Sequence, residues 1–277
     1  ELGWGDAGLA VSLIVAGFPV QMAAVIGNQE LVDLCTGKIG CWMITHPDKG
    51  SDVTMVDVRP ELPAGQQGNK GNMWGRLQGD EIVINGQCSA WVSNGAVAQV
   101  ALGYLSAEYE DGFFARDGNP YGMAVIIPLD LPGVSKGKPL EKIGQRALPQ
   151  GEIYFDNVRV PKRFAVALKD DYYGNMTSAW SFAGTHMGQA FTGVARAAFE
   201  LALQYCHERK QGGRTLIDHQ LTRYRLGDML RRVELCRSVA RRSLAYARLS
   251  PLTHPYVTAA GKVTVTQGQN VLRGDRL

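Results

Sequence analysis

The chain has 277 residues, 45% of them hydrophobic and 20% charged, which is long enough to bury more than one hydrophobic core. Lysine and arginine (29) nearly balance aspartate and glutamate (26), so the net charge of +3 gives no basis for expecting a nucleic-acid partner. The five cysteines form no Cys-x-x-Cys pair, and the five histidines are scattered. We therefore expect reduced cysteines, a cytoplasmic protein and no metal site.

The first 39 residues carry a helical pattern, with apolar side chains three and four positions apart. Within them, "GLAVSLIVAGFPV" is shorter than the roughly 18 residues that a membrane span needs, and Gly17 and Pro19 interrupt it. This stretch is expected to form a core helix, with no membrane span and no signal sequence.

From residue 40 to 163 the pattern changes to short strands separated by turns. The segments "DEIVING", "AVAQVALGYL", "YGMAVIIPL" and "GEIYFDNVRVP" are apolar or alternating, and Gly, Pro, Asn and Asp bound them. The Gly-rich stretch "RPELPAGQQGNKGNMWGRLQG" is interpreted as a long surface loop. This region is predicted to be a β-barrel or β-sandwich domain.

Residues 164 to about 250 return to helical periodicity. The segments "AFTGVARAAFELALQYCHERK" and "DHQLTRYRLGDMLRRVELCRSVARRSLAYARL" are each longer than 20 residues, with apolar positions three and four apart. They predict a helical bundle that is incomplete at its end. The predicted fold class is α+β. It consists of a helical segment (1–39) that ends an N-terminal helical domain, a central β domain (40–163) and a C-terminal bundle (164–277).

Two strand ends place hydroxyl groups beside aromatic residues. "CWMITHPDKGSD" begins as a buried strand and ends in polar turn residues, which suit either a solvent-facing turn or a rim that holds a polar ligand. "GQCSAWVSNGAVA" repeats the arrangement, with Trp91, Ser93 and Asn94 before Gly95. Taken alone, Trp91 is more typical of a core aromatic than of a ligand site.

These two segments occur in order with "LPGVSKGKPLEKIGQRALPQGEIYFDNVRVP" and "GVARAAFELALQYCHERKQGGRTLIDHQL". Together with Gly27 and Asn28 upstream, their order and spacing resemble the acyl-CoA dehydrogenase family up to about residue 245. The resemblance implies a flavoenzyme that holds FAD between its β domain and its last helical domain, and across a subunit interface.

The resemblance also implies positions for the cofactor. Trp42, Ile44 and Thr45 would lie along the flavin ring, and Ser51 near the pyrophosphate and the acyl thioester. Trp91 and Ser93 would lie beside the central ring, with the Ser93 hydroxyl donating toward flavin N5. A flavin ring needs an apolar wall and a few fixed donors, which such strand ends supply.

The segment "HERKQGGRTLIDHQ" resembles the family's arm that reaches the partner subunit's FAD. Arg209 and Gln211 would contact the pyrophosphate or adenosine, with His219 and Gln220 near the adenine. The alternative is a solvated helix end. Gly212 departs from the family, which usually has Phe there.

Catalysis is the largest departure from the family pattern. The family's α-proton base is a Glu in a Tyr-Glu-Gly-Thr segment, which this sequence lacks, or a Glu at the position of Ala183. The resemblance places Ser51, Phe182, Ala183 and Gly184 at the substrate, and the catalytic base is unknown. We expect that the sequence is truncated at both ends.

The function that the resemblance implies is FAD-dependent α,β-dehydrogenation of an acyl-CoA or acyl-carrier-protein thioester in fatty acid metabolism. The expected acceptor is an electron-transfer flavoprotein, and the expected assembly is a homo-oligomer, a dimer or a homotetramer. A flavin-dependent monooxygenase on the same fold and a non-catalytic flavin-binding protein remain alternatives. The arginines of the last helix are read as a solvated face or as a site for a CoA phosphate or an acidic partner.

Overall fold

The computed structural model describes residues 2–50 and 62–249. The chain opens with four short helices: α1 (Leu2–Gly5), α2 (Ala7–Ala16), α3 (Phe18–Val25) and α4 (Gln29–Cys35). Asn28 caps α4, because its side-chain oxygen accepts a hydrogen bond from the Leu31 backbone N–H at 3.2 Å. The helical prediction for this segment is confirmed.

The apolar character of α2 and α3 was underestimated from the sequence. Among the described residues, Ala7–Val25 is one stretch of 19 residues, with mean hydropathy 1.9, that could cross a membrane by length and composition. The expectation that no apolar run approaches this length was wrong. Length and hydropathy alone are weak evidence for a membrane span, because the core helices of globular proteins have them too. In this structure, 44% of the stretch is buried inside the chain.

Eight strands form one mixed sheet. Its hydrogen-bonded order is β6-β7-β3-β2-β4-β5-β8, and β1 pairs in parallel with β4. The strands are β1 (Gly40–Met43), β2 (Met73–Gln78), β3 (Glu81–Gln87), β4 (Val100–Glu108), β5 (Gly122–Pro128), β6 (Val134–Lys136), β7 (Ile153–Pro161) and β8 (Ala165–Leu168). The four strand segments predicted from the sequence correspond to β3, β4, β5 and β7.

The strands β2, β6 and β8 were not predicted from the sequence. The stretch read as a surface loop contains β2, which pairs with β3 through a two-residue turn at Gly79 and Asp80. Gly79 has φ 58°, in the left-handed region that favours glycine. Met73 and Gly75 are buried on one face of β2, as expected of a strand with alternating side chains. The glycines in and around β2 have no side chains, so the alternation is not apparent in the sequence.

The two faces of the sheet bury different side chains. One face carries the main apolar core, to which Met43, Leu105 and Met123 contribute. On the other side of β1 the ring of Trp42 packs edge-on against Phe18 of α3, with the centroids 5.2 Å apart. Alternation along β1 therefore sends Cys41 and Met43 into the core and Trp42 toward the helices.

The second helical region contains α5 (Tyr172–Glu208) and α6 (Gln220–Leu249). Between them a short hairpin pairs β9 (Lys210–Gln211) with β10 (Arg214–Thr215). Single turns of 3-10 helix occupy Lys162–Phe164, Lys169–Asp171 and Leu216–Asp218. Both long helices predicted from the sequence are present, and α5 begins earlier than its apolar pattern indicated.

The chain divides into two compact units. The sheet unit comprises residues 12–179 and the helical unit comprises residues 1–11 with 180–277. The sheet extends to Leu168, the end of β8, past the predicted domain boundary at 163. The helices from Ser12 to residue 39 group with the sheet, so one compact unit combines segments that the sequence pattern separated.

Candidate functional site

The ends of two segments meet at one point of the sheet unit. Thr45 follows β1, and its Oγ1 lies 2.7 Å from the Ser89 Oγ. The Ser89 backbone N–H also donates to the Thr45 carbonyl at 2.9 Å. The two predicted strand ends are thus joined through both backbone and side chain, and Ser89 is the residue that links them. We call Thr45, Ser89, Trp91 and Ser93 the strand-end rim.

The aromatic residue of the rim, Trp91, is exposed. Trp91 is 64% exposed, although it sits in a turn whose backbone is well fixed. The Trp91 backbone N–H donates to the Ser89 Oγ at 3.4 Å, and the Gly95 backbone N–H donates to the Val92 carbonyl at 3.0 Å. An exposed aromatic residue in the same turn as the Ser89 and Ser93 hydroxyls provides the combination of apolar surface and polar groups typical of a ligand site.

Asn94 holds the Trp91–Ser93 turn in place through hydrogen bonds. It is fully buried and has φ 63°, a left-handed conformation in which asparagine is enriched. Its Nδ2 donates to the carbonyls of Ser12 (2.9 Å) and Gly40 (3.2 Å), and its Oδ1 accepts from the Ser12 hydroxyl at 2.7 Å. Asn94 therefore ties the Trp91–Ser93 turn to α2 and to the start of β1.

The other residues predicted along the flavin ring have different surroundings. Trp42 is half-buried and packs against Phe18 and Tyr104, while Ile44 is 9% exposed. Ser51 lies outside the described residues. The turn between them is held by Asp48, whose Oδ1 accepts the Asn72 N–H at 3.0 Å and whose own N–H donates to the Asn72 Oδ1 at 3.0 Å.

His46, which the sequence analysis did not single out, is buried directly after Thr45. Its Nε2 lies 3.3 Å from the Tyr104 carbonyl, and its Nδ1 lies 3.5 Å from the Met73 N–H. Because a carbonyl only accepts, Nε2 carries the proton and Nδ1 is the acceptor. The ring thus joins the end of β1 to β2 and β4, and holds Thr45 in place.

Gln150 is a second residue that sequence reasoning missed. Its Nε2 donates to the Trp91 carbonyl at 2.9 Å and lies 3.3 Å from the Ser93 Oγ. The amide oxygen accepts from the Lys142 Nζ at 2.8 Å. No local motif predicts this contact, because Gln150 is 57 residues from Ser93 along the chain. An antiparallel bridge between the two residues brings them together in the fold.

The predicted adenosine-side residues lie in the helical unit. Arg209, Gln211 and Gln220 are exposed. The His219 Nε2 lies 2.9 Å from the Gln211 carbonyl, so the ring donates there and connects the hairpin to the start of α6. Gly212 has φ 61°, so the glycine that departs from the family pattern also meets a conformational need of the hairpin turn.

The predicted substrate residues lie along α5. Ala183 and Gly184 are buried, whereas Phe182 is half-buried and stacks on the His186 ring with centroids 4.0 Å apart. The Phe182 carbonyl accepts from the Thr185 hydroxyl at 2.8 Å. This part of α5 therefore presents methyl groups and backbone rather than a carboxylate at the position of Ala183.

Comparison with known proteins agrees with this architecture. Residues 41–158 match the model of the acyl-CoA dehydrogenase middle domain, and residues 179–269 match that of the acyl-CoA dehydrogenase C-terminal domain. The chain belongs to the acyl-CoA dehydrogenase family. It is 33% identical over 209 residues to a glutaryl-CoA dehydrogenase of Desulfococcus multivorans, covering 75% of this chain and 48% of that protein. The chain thus spans about half the length of such relatives.

Solved acyl-CoA dehydrogenases share the fold. The butyryl-CoA dehydrogenase of Megasphaera elsdenii superimposes with a TM-score of 0.83 at 21% identity, covering 99% of this chain and 68% of that one. A glutaryl-CoA dehydrogenase of Mycobacterium smegmatis, in complex with FADH2, gives 0.77 at 23% identity, covering 99% and 66%. The predicted combination of helices, a β domain and a C-terminal helical region is confirmed.

Proposed function

We propose that the protein is an FAD-dependent dehydrogenase that oxidises the α,β-bond of an acyl thioester. The observation that carries the proposal is the strand-end rim, where the exposed Trp91 lies in the turn between Ser89 and Ser93, and the Ser89 hydroxyl bonds to that of Thr45. Membership of the acyl-CoA dehydrogenase family supports the reaction class.

The donor set of the rim fits a flavin. A flavin ring offers an apolar face together with carbonyl oxygens and ring nitrogens that accept hydrogen bonds. Trp91 supplies apolar surface, and hydroxyls supply the donors. In the Thr45–Ser89 pair only one O–H is consumed between the two oxygens, so the other proton is available to a ligand. When bound, FAD would supply the acceptor for the hydride lost by the substrate.

The chain's own residues would orient the cofactor and exclude water from one of its faces. Trp91 would cover part of the ring, and Ser93 would donate a hydrogen bond toward it. Arg209 and Gln211 would contact the phosphate and adenosine portion across a subunit interface, with His219 and Gln220 near the adenine. Arginine suits phosphate because its planar guanidinium can form two parallel hydrogen bonds.

We assign no catalytic base. Asp48 is a carboxylate close to Thr45 in sequence, but it is engaged with Asn72 in the local turn. Ala183, at the family's alternative base position, has no titratable group. The proposed substrate contacts are Ser51 and the Phe182–Gly184 segment of α5.

The proposed partners follow from the same reaction. An acyl-CoA or acyl-carrier-protein thioester would be the substrate, and an electron-transfer flavoprotein would accept the electrons. A homotetramer in the cytoplasm is the proposed assembly and location. All five cysteines are free, and four of them are buried, which suits a reducing compartment.

An anaerobic titration tests the proposal. The full-length protein is loaded with FAD and mixed with a panel of straight-chain, branched and dicarboxylic acyl-CoAs. Loss of the visible flavin absorbance and formation of the enoyl thioester are expected with at least one member. If the flavin stays oxidised, oxygen uptake supported by NAD(P)H and a reductase would instead indicate a monooxygenase. Neither response would indicate a non-catalytic flavin-binding protein.

A further inference from the structure

The side-chain amide of Gln150 has only one chemically consistent orientation. The Trp91 carbonyl can only accept a hydrogen bond, so the Gln150 atom 2.9 Å from it must be the NH2 nitrogen. The Lys142 ammonium can only donate, so the atom 2.8 Å from its Nζ must be the amide oxygen. Two independent partners therefore determine which end of the amide faces the strand-end rim.

This orientation determines the role of Ser93. The NH2 group has two hydrogens, one directed to the Trp91 carbonyl and the other facing the Ser93 Oγ at 3.3 Å. Facing a donor, the serine oxygen acts as acceptor, so its own O–H proton must point elsewhere. Among the hydrogen bonds of the described residues, the Ser93 hydroxyl donates to none, which leaves its proton for a ligand.

The backbone keeps Gln150 at this distance. Ser93 and Gln150 form an isolated antiparallel bridge, and the Gly151 N–H donates to the Val92 carbonyl at 3.3 Å. A Cβ on Gly95 would overlap the Gly151 carbonyl, so the two chain segments approach as closely as glycine allows. Lys142 is held in turn by the Leu148 carbonyl, which accepts from its Nζ at 2.6 Å.

We propose that Gln150, fixed by Lys142, is a positioning residue that forces the Ser93 hydroxyl to donate toward the flavin and holds Trp91 beside it. This inference rests on the proposed function, because it assigns the free Ser93 proton to the cofactor. It adds two residues to the site, and neither of them touches the cofactor in this assignment.

A double-mutant cycle on the full-length protein tests the proposal. FAD dissociation constants, the visible flavin spectrum and the flavin reduction potential are measured for wild type, Q150M, S93A and the double variant. Methionine keeps the length of glutamine but has no N–H. We expect S93A to weaken FAD binding by about 5- to 150-fold and Q150M by about 5- to 10-fold, and both to shift the spectrum in the same direction. The double variant should be no weaker than S93A alone.

Two further variants sharpen the test. Q150E keeps an oxygen for Lys142 but offers an acceptor to Ser93, so the serine proton should turn away from the flavin and the spectrum should resemble that of S93A. Q204M is the matched control, because Gln204 is exposed on α5 and bonds only to Glu208 at 2.8 Å among the described residues. It should leave FAD binding unchanged. Thermal unfolding confirms that each variant is folded.

The outcomes separate this proposal from the proposed function. If the effects of Q150M and S93A simply multiply, or if Q150E matches wild type, Gln150 does not orient Ser93 and the inference is overturned even if acyl-CoA bleaches the flavin. If the effects are coupled but no acyl thioester bleaches the flavin, the positioning role holds and the dehydrogenase assignment fails. If the wild-type protein binds no FAD, both are overturned.

Discussion

The strand-end rim and the hairpin between α5 and α6 both contain residues predicted to contact the cofactor, but they are held very differently. In the rim, hydrogen bonds to Ser89 and Gln150 hold the side chains of Thr45 and Ser93 and the backbone of Trp91. In the hairpin, the backbone is fixed while the side chains of Arg209 and Gln211 are exposed. The rim is therefore organised before any ligand binds, whereas ordering the hairpin side chains would cost conformational entropy on binding.

The difference between the fixed rim and the exposed hairpin side chains suggests different roles for them in binding the cofactor. A pre-organised set of donors can fix the orientation of a ring, because its geometry does not have to form during binding. Mobile cationic side chains instead attract phosphate over a longer range and are screened by salt. We expect substitutions in the rim to change stability and flavin properties, and substitutions in the hairpin to change mainly affinity and its salt dependence.

The largest effect is expected at Asn94, which anchors the rim. Asn94→Ala leaves the carbonyls of Ser12 and Gly40 without their buried donor and places alanine at φ 63°, so we expect a loss of about 2–4 kcal/mol in unfolding free energy. Urea denaturation measures this loss. Asn94→Gly is the control, since it relieves the backbone strain but still loses the hydrogen bonds. If Asn94→Gly were as stable as wild type, the bonds would not matter.

The second effect concerns the flavin itself. Ser93→Ala removes a hydroxyl donor and should weaken FAD binding by about 1–3 kcal/mol, with a shift in the flavin spectrum or potential. Thr45→Ala should act in the same direction. Ser93→Thr keeps the hydroxyl and is the matched control, expected to retain the wild-type spectrum. Unchanged flavin content and spectrum in both alanine variants would place the cofactor site elsewhere.

The sequence predicted the parts of this architecture that local patterns determine. Alternating apolar runs revealed β3, β5 and β7, and the paired hydroxyls and aromatics of Thr45, Trp91 and Ser93 marked the rim. The strand β2 was missed because Gly71, Gly75 and Gly79 lie within it or beside it and carry no hydrophobic signal. The role of Gly75 is apparent only in the folded sheet, where it pairs with Ile84 and Ala107 and a Cβ on it would meet the Met123 sulfur.

The supporting residues were not predictable for a different reason. His46 and Gln150 act through partners 27 to 59 residues away along the chain, brought together by sheet register rather than by any motif. A polar residue inside a turn segment is usually solvated, so nothing in the local sequence marks Gln150 as a positioning residue. Residues such as His46 and Gln150, which position other residues, can be identified only from the folded structure, whereas residues proposed to contact the cofactor can be predicted from the sequence.

A third prediction tests whether the hairpin backbone is as well fixed as the rim. Gly212 has φ 61°, so Gly212→Ala should destabilise the hairpin by about 1–2 kcal/mol. Faster hydrogen exchange at the Leu216 amide, which donates to the Arg209 carbonyl at 2.8 Å, would report the local loss, while unfolding of the sheet unit should be unaffected. Gly174→Ala, at a helical glycine with open space for a Cβ, is the control. Equal exchange rates in both variants would show that the turn tolerates side chains.

The smallest effect is expected at Arg209, because its side chain is exposed. Arg209→Ala should weaken FAD binding by at most about 1 kcal/mol at low ionic strength, and the difference from wild type should shrink as salt is added. Gln220→Ala removes a neutral polar group from the same region, so its effect should not depend on salt. FAD titrations at several salt concentrations measure both. If wild type and Arg209→Ala lose affinity equally steeply with salt, Arg209 does not contact a phosphate. The cofactor's orientation and its affinity would then both depend on the rim.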